Sequence, residues 1–539
     1  MPESTDGLSD ADLTGQRLMA GFDGLTPTPG ILDLIQRERV GGVILFSRNI
    51  ASAEQLCALT GALQRAARES GHSAPLLIGL DQENGAVRRL GPWATSFPGA
   101  MALAATDSEA LAEEIAEASG RELAALGVNM NFAPVADVSN NPANPVIGAR
   151  SFGSDPARVA RFVAAQIRGY QRAGVAATLK HFPGHGDTAT DSHLALPVIP
   201  YDLGRLRALE LPPFRAGIAA GAAAVMTAHI ALPALTGSHA APATLAPEII
   251  QGLLREELGF PGVVITDCLE MAAITGTTGT PTAATLALRA GADIALISHR
   301  EDRQRAALAA IRQALADGSL PRASLIAEAR RVLALKRRFF SWDAARRAAS
   351  GATLATVGSR AHRALALRAY ERAVTLLRDR ERILPLRLAS GERMAIIAWA
   401  SRALSPVMDA PDQPQILMDA LTRRYPAVTG ALLGVSTATE ARIAARSAAE
   451  SDTIILLTRD ASLDPVQAEA MRDIIAGARA AGRRVIGVAA GVPYDAALFA
   501  EIGSWLAIYD DTAPALESAA RALTGEARPA GRLPVTLPE

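Results

Sequence analysis

Short runs of apolar residues recur along the first 300 or so residues of this 539-residue chain. Nearly every position within a run is apolar, whereas a strand with one exposed face would alternate between apolar and polar residues. Continuous runs are typical of parallel strands that are covered on both faces. The seven runs lie at 40–47, 75–83, 127–135, 176–182, 223–230, 262–270 and 292–298.

Helical patterns fill the intervals between these runs. The segments 108–126 and 155–173, for example, are rich in Ala, Leu, Arg and Glu, and their apolar residues recur at helical spacing. Seven or eight strand–helix repeats in a stretch of this length predict a (β/α)8 barrel. We place this barrel at residues 1–337.

A second unit follows a Gly/Ser/Thr-containing stretch, 338–365, which we interpret as a linker. Alternating strand and helix patterns then predict an open α/β sandwich over 366–539. This unit has no cluster of His, Lys and carboxylate residues comparable to that of the barrel, so we expect it to act in packing or oligomerisation. Its strand-like runs lie at 394–400, 430–435, 453–458, 484–491 and 504–510.

Composition restricts the class of protein. Charged residues make up 20% of the chain and the net charge is −1, which argues against binding to nucleic acid or to an anionic membrane. The uncharged stretch 216–247 is interrupted by Pro, Gly and His residues, so we expect a buried helix and strand there instead of a membrane span. Cys57 and Cys268 form no disulfide framework, and residues 1–16 are acidic and polar, unlike a signal peptide. These features predict a cytoplasmic protein.

Polar residues follow the apolar runs of the predicted barrel at the point where each run ends. The active sites of (β/α)8 barrels lie at the C-terminal ends of the strands. We therefore predict a functional site at this rim. The residues concerned are Arg48, Asp81, Glu83, Asn131, Asp137, Lys180, His181, His229, Asp267 and His299.

Histidines and carboxylates are concentrated in the segment 180–193, KHFPGHGDTATDSH, which begins with the rim residues Lys180 and His181. It holds three of the eight histidines and one of only two lysines in a chain whose other cations are arginines. A lysine in such a context indicates a need for a compact ammonium group instead of a planar guanidinium. Asp191, two residues before His193 on a loop, can accept a hydrogen bond from the imidazole and raise its basicity, as in a general acid/base. Asp267, at the end of the run 262–270, can present a carboxylate to a reacting carbon.

The motifs KHFPGHG, DSH four residues later, and TD followed by Met271 resemble the family 3 glycoside hydrolases, in particular their β-N-acetylglucosaminidase branch. The resemblance extends over nearly the whole chain. Further matching segments are GQRLMAGFDG, GVILFSRNI, NMNFAPVADV, IGARSFG, ADIALISH and, at the C-terminus, GRLPVTLP.

The resemblance implies a retaining exo-β-N-acetylglucosaminidase that works without a metal or an organic cofactor. Asp267 would be the nucleophile, His193 the acid/base and Asp191 its orienting partner. The substrate would be a carbohydrate with a terminal N-acetylglucosamine, such as a peptidoglycan-derived fragment in cell-wall recycling, with chitin oligosaccharides as the alternative. The residues that would hold the hydroxyls of the terminal sugar are Asp81, Arg89, Arg150, Lys180 and His181.

Two positions depart from the family pattern, because Asn84 and Ala86 stand where a glycine and an arginine are usual. Asn tolerates a left-handed backbone better than other non-glycine residues, so we expect the turn at Asn84 to be preserved.

Three other functions remain open. A histidine acid/base repels an anionic attacker less than a glutamate does, which would allow phosphate to replace water in a phosphorylase. A sugar sensor without catalysis is a further alternative. A metal-dependent hydrolase would draw its ligands from His181, His185, Asp187, Asp191 and His193.

Overall fold

The computed structural model describes residues 8–399, 405, 408, 414–427 and 429–538. Two of the sequence-based interpretations include residues that the structure does not describe. Ala400, the last residue of the run 394–400, and the first seven residues of the polar N-terminal segment lie outside the described part of the chain.

Eight parallel strands close into a barrel, which confirms the predicted fold. The first of them pairs with both the second and the eighth, and this pairing closes the cylinder. Its three residues had not been recognised as a strand from the apolar runs. The strands are β1 (Leu18–Ala20), β2 (Gly42–Leu45), β3 (Leu77–Leu80), β4 (Met130–Asn131), β5 (Ala176–Phe182), β6 (Ala224–Thr227), β7 (Val263–Cys268) and β8 (Ile294–Ile297).

Helices surround the barrel, and several begin at side chains that accept a hydrogen bond from the first helical turn. Ser52, Ser108 and Asp155 cap three of the longest in this way. The helices are α1 (Asp10–Gly15), α2 (Pro29–Gln36), α3 (Ala53–Glu69), α4 (Ala100–Ala105), α5 (Glu109–Ala125), α6 (Pro156–Arg172), α7 (Leu203–Ala208), α8 (Leu211–Ala219), α9 (Pro233–Thr236), a π-helix (Glu248–Glu257), α10 (Ala272–Thr275), α11 (Thr280–Arg289), α12 (Glu301–Ala316) and α13 (Arg322–Phe339).

Helix α13 covers the N-terminal end of the barrel. Val332 and Leu335 of this helix join the apolar side chains that fill the barrel interior. The Lys336 ammonium donates a hydrogen bond to Gln16 Oε1 (2.8 Å), just before β1 begins. Helix α13 therefore closes the barrel at this end, and the barrel interior is accessible from the C-terminal rim.

The uncharged stretch 216–247 lies within the barrel domain. It contains the end of α8, strand β6 and helix α9, as expected of a buried helix followed by a buried strand. Throughout the described residues, the helices are too short or too polar to span a bilayer.

A six-stranded sheet forms the second domain, in agreement with the predicted α/β sandwich. The sheet is parallel except for one of its two edge strands, residues 375–379, which the sequence patterns do not indicate and which runs antiparallel to its neighbour. The strands, in the sheet order β11-β10-β12-β13-β14-β9, are β9 (Thr375–Asp379), β10 (Arg393–Trp399), β11 (Thr429–Val435), β12 (Thr453–Thr458), β13 (Arg484–Ala489) and β14 (Ser504–Ala507).

Helices alternate with the strands of this sheet along the chain, and further helices connect the sheet to the barrel. The stretch 338–365 is largely helical, with the end of α13, the whole of α14 and the start of α15. The C-terminal segment returns to the barrel, where the Arg532 backbone N–H donates to Ala105 O (2.8 Å) and that of Ser154 donates to Pro534 O (3.1 Å). The helices are α14 (Trp342–Ala349), α15 (Arg360–Ala373), α16 (Gln415–Arg424), α17 (Ala438–Glu450), α18 (Pro465–Ala480), α19 (Asp495–Leu498) and α20 (Ala513–Thr524).

Candidate active site

A cavity of about 590 Å³ opens at the C-terminal rim of the barrel. The structure brings the predicted site residues together here, since seven of the eight line this cavity and the eighth, Asp191, lies behind His193. The seven lining residues are Asp81, Arg89, Arg150, Lys180, His181, His193 and Asp267.

Lys180 lies between two carboxylates in the pocket wall. Its Nζ is 2.7 Å from Asp81 Oδ1 and 2.6 Å from Glu83 Oε1. Glu83 also accepts two hydrogen bonds from the Arg150 guanidinium, at 2.8 and 2.7 Å. Burial by itself would raise the pKa of Glu83, but the Arg150 and Lys180 cations hold that pKa far below its usual range. Glu83, which the sequence placed at the rim without a role, therefore anchors two of the predicted sugar-binding cations.

Replacing Lys180 with arginine should lower kcat/KM by about 10- to 100-fold, a typical loss for hydrogen bonds to charged groups. The reason is that two carboxylate oxygens converge on one nitrogen, a position that a planar guanidinium cannot occupy. Steady-state kinetics on an N-acetylglucosaminide, the substrate that the sequence resemblance implies, measure this effect. The matched control is Lys336→Arg, the other buried lysine, which lies at the opposite end of the barrel and should leave kcat/KM unchanged. Near-normal kcat/KM in Lys180→Arg would show that Lys180 has only a structural role.

Asp137 fixes the orientation of His181. Its Oδ2 is 2.7 Å from His181 Nδ1, and its Oδ1 accepts the backbone N–H groups of His181 and His185. Burial acts to raise the pKa of Asp137, but the adjacent His181 and His185 together lower it, so the carboxyl stays ionised. With Nδ1 engaged, the remaining ring nitrogen of His181 is Nε2, which lies 3.5 Å from Arg150 Nη2 in the pocket wall.

His185 holds the loop that carries the Asp191–His193 pair. Its Nδ1 is 2.8 Å from Thr188 Oγ1 and its Nε2 is 3.0 Å from Ser192 Oγ. Burial lowers the pKa of His185 to about 4, so the ring is neutral at neutral pH. The three histidines of the segment 180–193 thus have different environments, since His181 faces the pocket, His185 closes the loop and His193 pairs with Asp191.

Asp191 and His193 form the hydrogen-bonded pair that their spacing predicted. Asp191 Oδ1 accepts from the His193 backbone N–H (2.9 Å) and lies 2.7 Å from its Nδ1. Asp191 Oδ2 accepts from the Ser405 hydroxyl (2.8 Å), which comes from the second domain. Burial would raise the pKa of Asp191, but these hydrogen bonds lower it to about 2. Asp191 is therefore ionised at any working pH. The His193 side chain is 27% exposed, and its Nε2 remains available to contact a ligand in the pocket.

Asp267 lies at the C-terminal end of β7. Its Oδ1 accepts from the Cys268 backbone N–H (2.7 Å). Burial acts to raise its pKa, but the neighbouring His229, His181 and His193 lower it, so this carboxyl is ionised. Burial raises the pKa of the Cys268 thiol to about 12, as expected of a packing residue and not of a reactive thiol.

Apolar side chains complete the pocket, and sequence reasoning missed them. Phe46, Met226 and Met271 come from the barrel, whereas Met408 comes from the second domain. Phe46 and Met226 lie in or next to apolar strand runs, where a residue that faces a ligand cannot be told from one that faces the core. The second domain thus contributes to the pocket as well as to packing.

The two departures from the family pattern lie beside the pocket. Asn84 adopts a left-handed backbone (φ 71°), which confirms that the turn is preserved. Its amide nitrogen also lies 3.3 Å from the Tyr170 hydroxyl, a contact that a glycine could not make. Ala86 is not part of the main pocket wall and instead borders a small cavity between Arg150 and Arg459 of the second domain.

One group among the described residues has the composition of a metal site. Ligand atoms of Cys268, Glu270 and His299 lie within 4.8 Å of one another. The group borders the pocket, but it includes none of the five loop residues from which a metal-dependent hydrolase would have drawn its ligands.

The chain is similar in sequence to known proteins over most of its length. The sequence pattern described as the glycosyl hydrolase family 3 N terminal domain matches residues 19–335. A β-hexosaminidase A from Pseudoalteromonas piscicida is 37% identical over 416 residues, which cover 70% of this chain and 69% of that protein.

Two solved structures resemble the whole chain. A family 3 β-N-acetylglucosaminidase from Paenibacillus sp. str. FPU-7 is 38% identical, with a TM-score of 0.90 over 98% of this chain and 99% of that one. A fungal multi-domain β-N-acetylglucosaminidase is 41% identical, with a TM-score of 0.91 over 99% of this chain. This chain spans 61% of the length of that fungal protein.

Proposed function

Because the chain belongs to glycosyl hydrolase family 3, we propose that it is a retaining exo-β-N-acetylglucosaminidase. The observation that supports this proposal is that two groups line one pocket. They are the ionised Asp267 carboxylate and the His193 imidazole, which is hydrogen-bonded to Asp191. A nucleophile and a general acid/base are the two groups that a retaining glycosidase needs. The names of the two similar solved structures, both β-N-acetylglucosaminidases, support N-acetylglucosamine as the sugar.

In the first step, an Asp267 oxygen attacks the anomeric carbon as the bond to the leaving oxygen breaks. Protonated His193 donates its Nε2 proton to that oxygen and becomes neutral. In the second step, water attacks the anomeric carbon and gives a proton to His193, and the bond to Asp267 breaks. Asp191 stabilises the imidazolium before the first step and after the second. Two displacements at one carbon return the β-configuration.

The polar wall of the pocket suits a sugar ring with several hydroxyls. A carboxylate, an ammonium group, an imidazole and a guanidinium converge there from Asp81, Lys180, His181 and Arg150. The cavity has the size of a small-ligand site, and α13 closes the barrel beneath it. A blind pocket of this kind supports removal of a terminal residue instead of cleavage within a chain.

For the leaving group we propose a peptidoglycan-derived fragment, as in cytoplasmic cell-wall recycling. A second cavity of about 930 Å³ adjoins the pocket, with Ser47 and Arg89 in both linings. Arg88, Trp93 and Arg363 also line it. Guanidinium groups next to an aromatic ring favour a leaving group that carries carboxylates over a neutral chitin oligosaccharide.

Release of p-nitrophenol from the β-N-acetylglucosaminide, compared with the β-glucoside, tests the proposed function. The acetamido sugar should be preferred by at least about tenfold in kcat/KM, equivalent to roughly 1.4 kcal/mol in the transition state. NMR of the first product should show the β-anomer, and an α-anomer would contradict the retaining mechanism. A higher kcat/KM for N-acetylglucosaminyl-anhydromuramic acid than for chitobiose would support the proposed leaving group, and the reverse order would contradict it.

A phosphorylase is the second candidate, because His193 is neutral after it has given up its proton and does not repel an anion. Turnover in the presence of inorganic phosphate, followed by ³¹P NMR, separates the two reactions. Formation of N-acetylglucosamine 1-phosphate faster than free sugar would favour the phosphorylase.

A further inference from the structure

Ser405 connects the second domain to the acid/base pair. It lies between β10 and α16, only 1% of it is exposed, and its hydroxyl donates to Asp191 Oδ2 at 2.8 Å. Three residues further along, the Met408 backbone N–H donates to Ser405 O (3.0 Å), and Met408 lines the pocket. Through Ser405 and Met408, the second domain thus contacts both Asp191 and the pocket itself.

The two oxygens of Asp191 have different partners. Oδ1 faces His193, from which it receives the backbone N–H and the ring Nδ1–H, whereas Oδ2 faces Ser405. Asp191 is 4% exposed, so the loss of the serine hydroxyl would leave a buried carboxylate oxygen without this donor. The carboxylate would then rotate, or admit water, to regain a partner.

The type of donor is also significant. A lysine or arginine at this place would neutralise the Asp191 carboxylate and weaken its effect on the His193 imidazolium. A hydroxyl holds the carboxylate in position and leaves its charge available to His193. Ser405 therefore combines orientation with an undiminished negative charge.

Ser192, which lies between Asp191 and His193 in the chain, is held by contacts within the barrel domain. Ser192 Oγ lies 3.0 Å from His185 Nε2, and Ser192 O accepts from the Ala273 backbone N–H at 3.4 Å. These bonds fix Ser192, the residue between the two members of the pair, but they do not fix the rotation of the Asp191 side chain.

We propose that Ser405 is a positioning residue for the Asp191–His193 pair, through which the second domain takes part in the acid–base step. This inference rests on the proposed function of His193. It makes the second domain a component of catalysis in addition to its part in packing.

Ser405→Ala and Ser405→Thr in the full chain test this role. The control is Ser518→Ala, since Ser518 is a buried serine of the second domain whose hydroxyl donates to Pro514 O within its own helix. On chitobiose, whose leaving group requires protonation, Ser405→Ala should lose about 10- to 100-fold in kcat/KM. On the 2,4-dinitrophenyl glycoside, whose leaving group requires none, kcat/KM should stay within about twofold of wild type. For that substrate kcat and KM should fall together, because the second step still requires a base.

Ser405→Thr keeps the hydroxyl and should restore these values, and Ser518→Ala should resemble wild type. Equal losses on both substrates, or no loss on either, would overturn the positioning role.

A measurement that does not depend on turnover separates this inference from the proposed function. The Nδ1 proton of His193, which bonds to Asp191, should give a downfield proton NMR signal that disappears in His193→Gln. The signal should persist in Ser405→Thr and shift or vanish in Ser405→Ala. If this pattern appears in a protein that cleaves no N-acetylglucosaminide, the proposed function is wrong and the positioning role stands. If the protein is active and the signal is the same in Ser405→Ala as in wild type, the positioning role is wrong.

Discussion

Replacement of Asp267 with alanine is expected to abolish turnover and to leave the fold intact. No other group takes the place of a missing nucleophile in a covalent mechanism, so the rate should fall by at least about 1000-fold. The hydrogen bond that Asp267 Oδ1 accepts comes from the next residue along the chain, Cys268. The truncation therefore breaks no contact between distant parts of the chain at this oxygen. The measurement is kcat on p-nitrophenyl N-acetylglucosaminide, with circular dichroism and thermal unfolding to check the fold.

Glu270→Gln is the matched control for Asp267→Ala. Glu270 follows β7 by two residues and borders the same pocket, where its carboxylate accepts the backbone N–H groups of His299 and Arg300. A glutamine keeps one acceptor oxygen, so this variant should retain most of its activity. Residual activity above about 1% of wild type in Asp267→Ala would mean that another residue attacks the sugar.

His193→Gly is expected to slow substrates unequally. A sugar leaving group needs a proton from His193, so its release should slow by about 10²- to 10⁴-fold. A dinitrophenolate needs no proton and should still leave quickly. Water would then attack the glycosyl-enzyme unassisted, and this intermediate should accumulate on Asp267. A burst of phenolate and an added sugar mass on the intact protein would show it.

Azide tests the second step of the same variant. As a small anion it needs no general base, and the glycine leaves room for it beside the anomeric carbon. It should restore turnover of the dinitrophenyl substrate and yield the β-glycosyl azide. If natural and activated substrates slow by the same factor, without a burst or an azide product, His193 is not the acid/base.

Strand patterns were informative where strands are long and buried on both faces. The runs 176–182 and 453–458 coincide with β5 and β12. The two strands that were not recognised differ from these in physical ways. β1 has only three residues, which is too few for a periodic pattern, and β9 is a half-exposed edge strand that contains Arg378 and Asp379. Edge strands of this kind lack the continuous apolar run of a covered parallel strand.

The predicted site residues could be found from sequence because the rim of a barrel collects the residues that follow each strand. Ser405 could not be found in this way. It is 214 positions away from its partner Asp191, and no local pattern reports that two domains bring such residues together. The sequence places Glu83 and Asp137 at the rim, but it does not give their roles. Those roles depend on which cation or imidazole ring contacts each carboxylate, and the fold determines these contacts.

The wall of the pocket belongs to both domains, since Met408 lines it together with the barrel residues. A ligand that fills the pocket therefore binds to the docked arrangement more tightly than to either domain apart. Each tenfold rise in free ligand concentration above the dissociation constant therefore adds about 1.4 kcal/mol to the free energy needed to separate the two domains. Without a ligand this contribution is absent. With a tight inhibitor bound, the barrel and the sandwich should unfold as one cooperative unit.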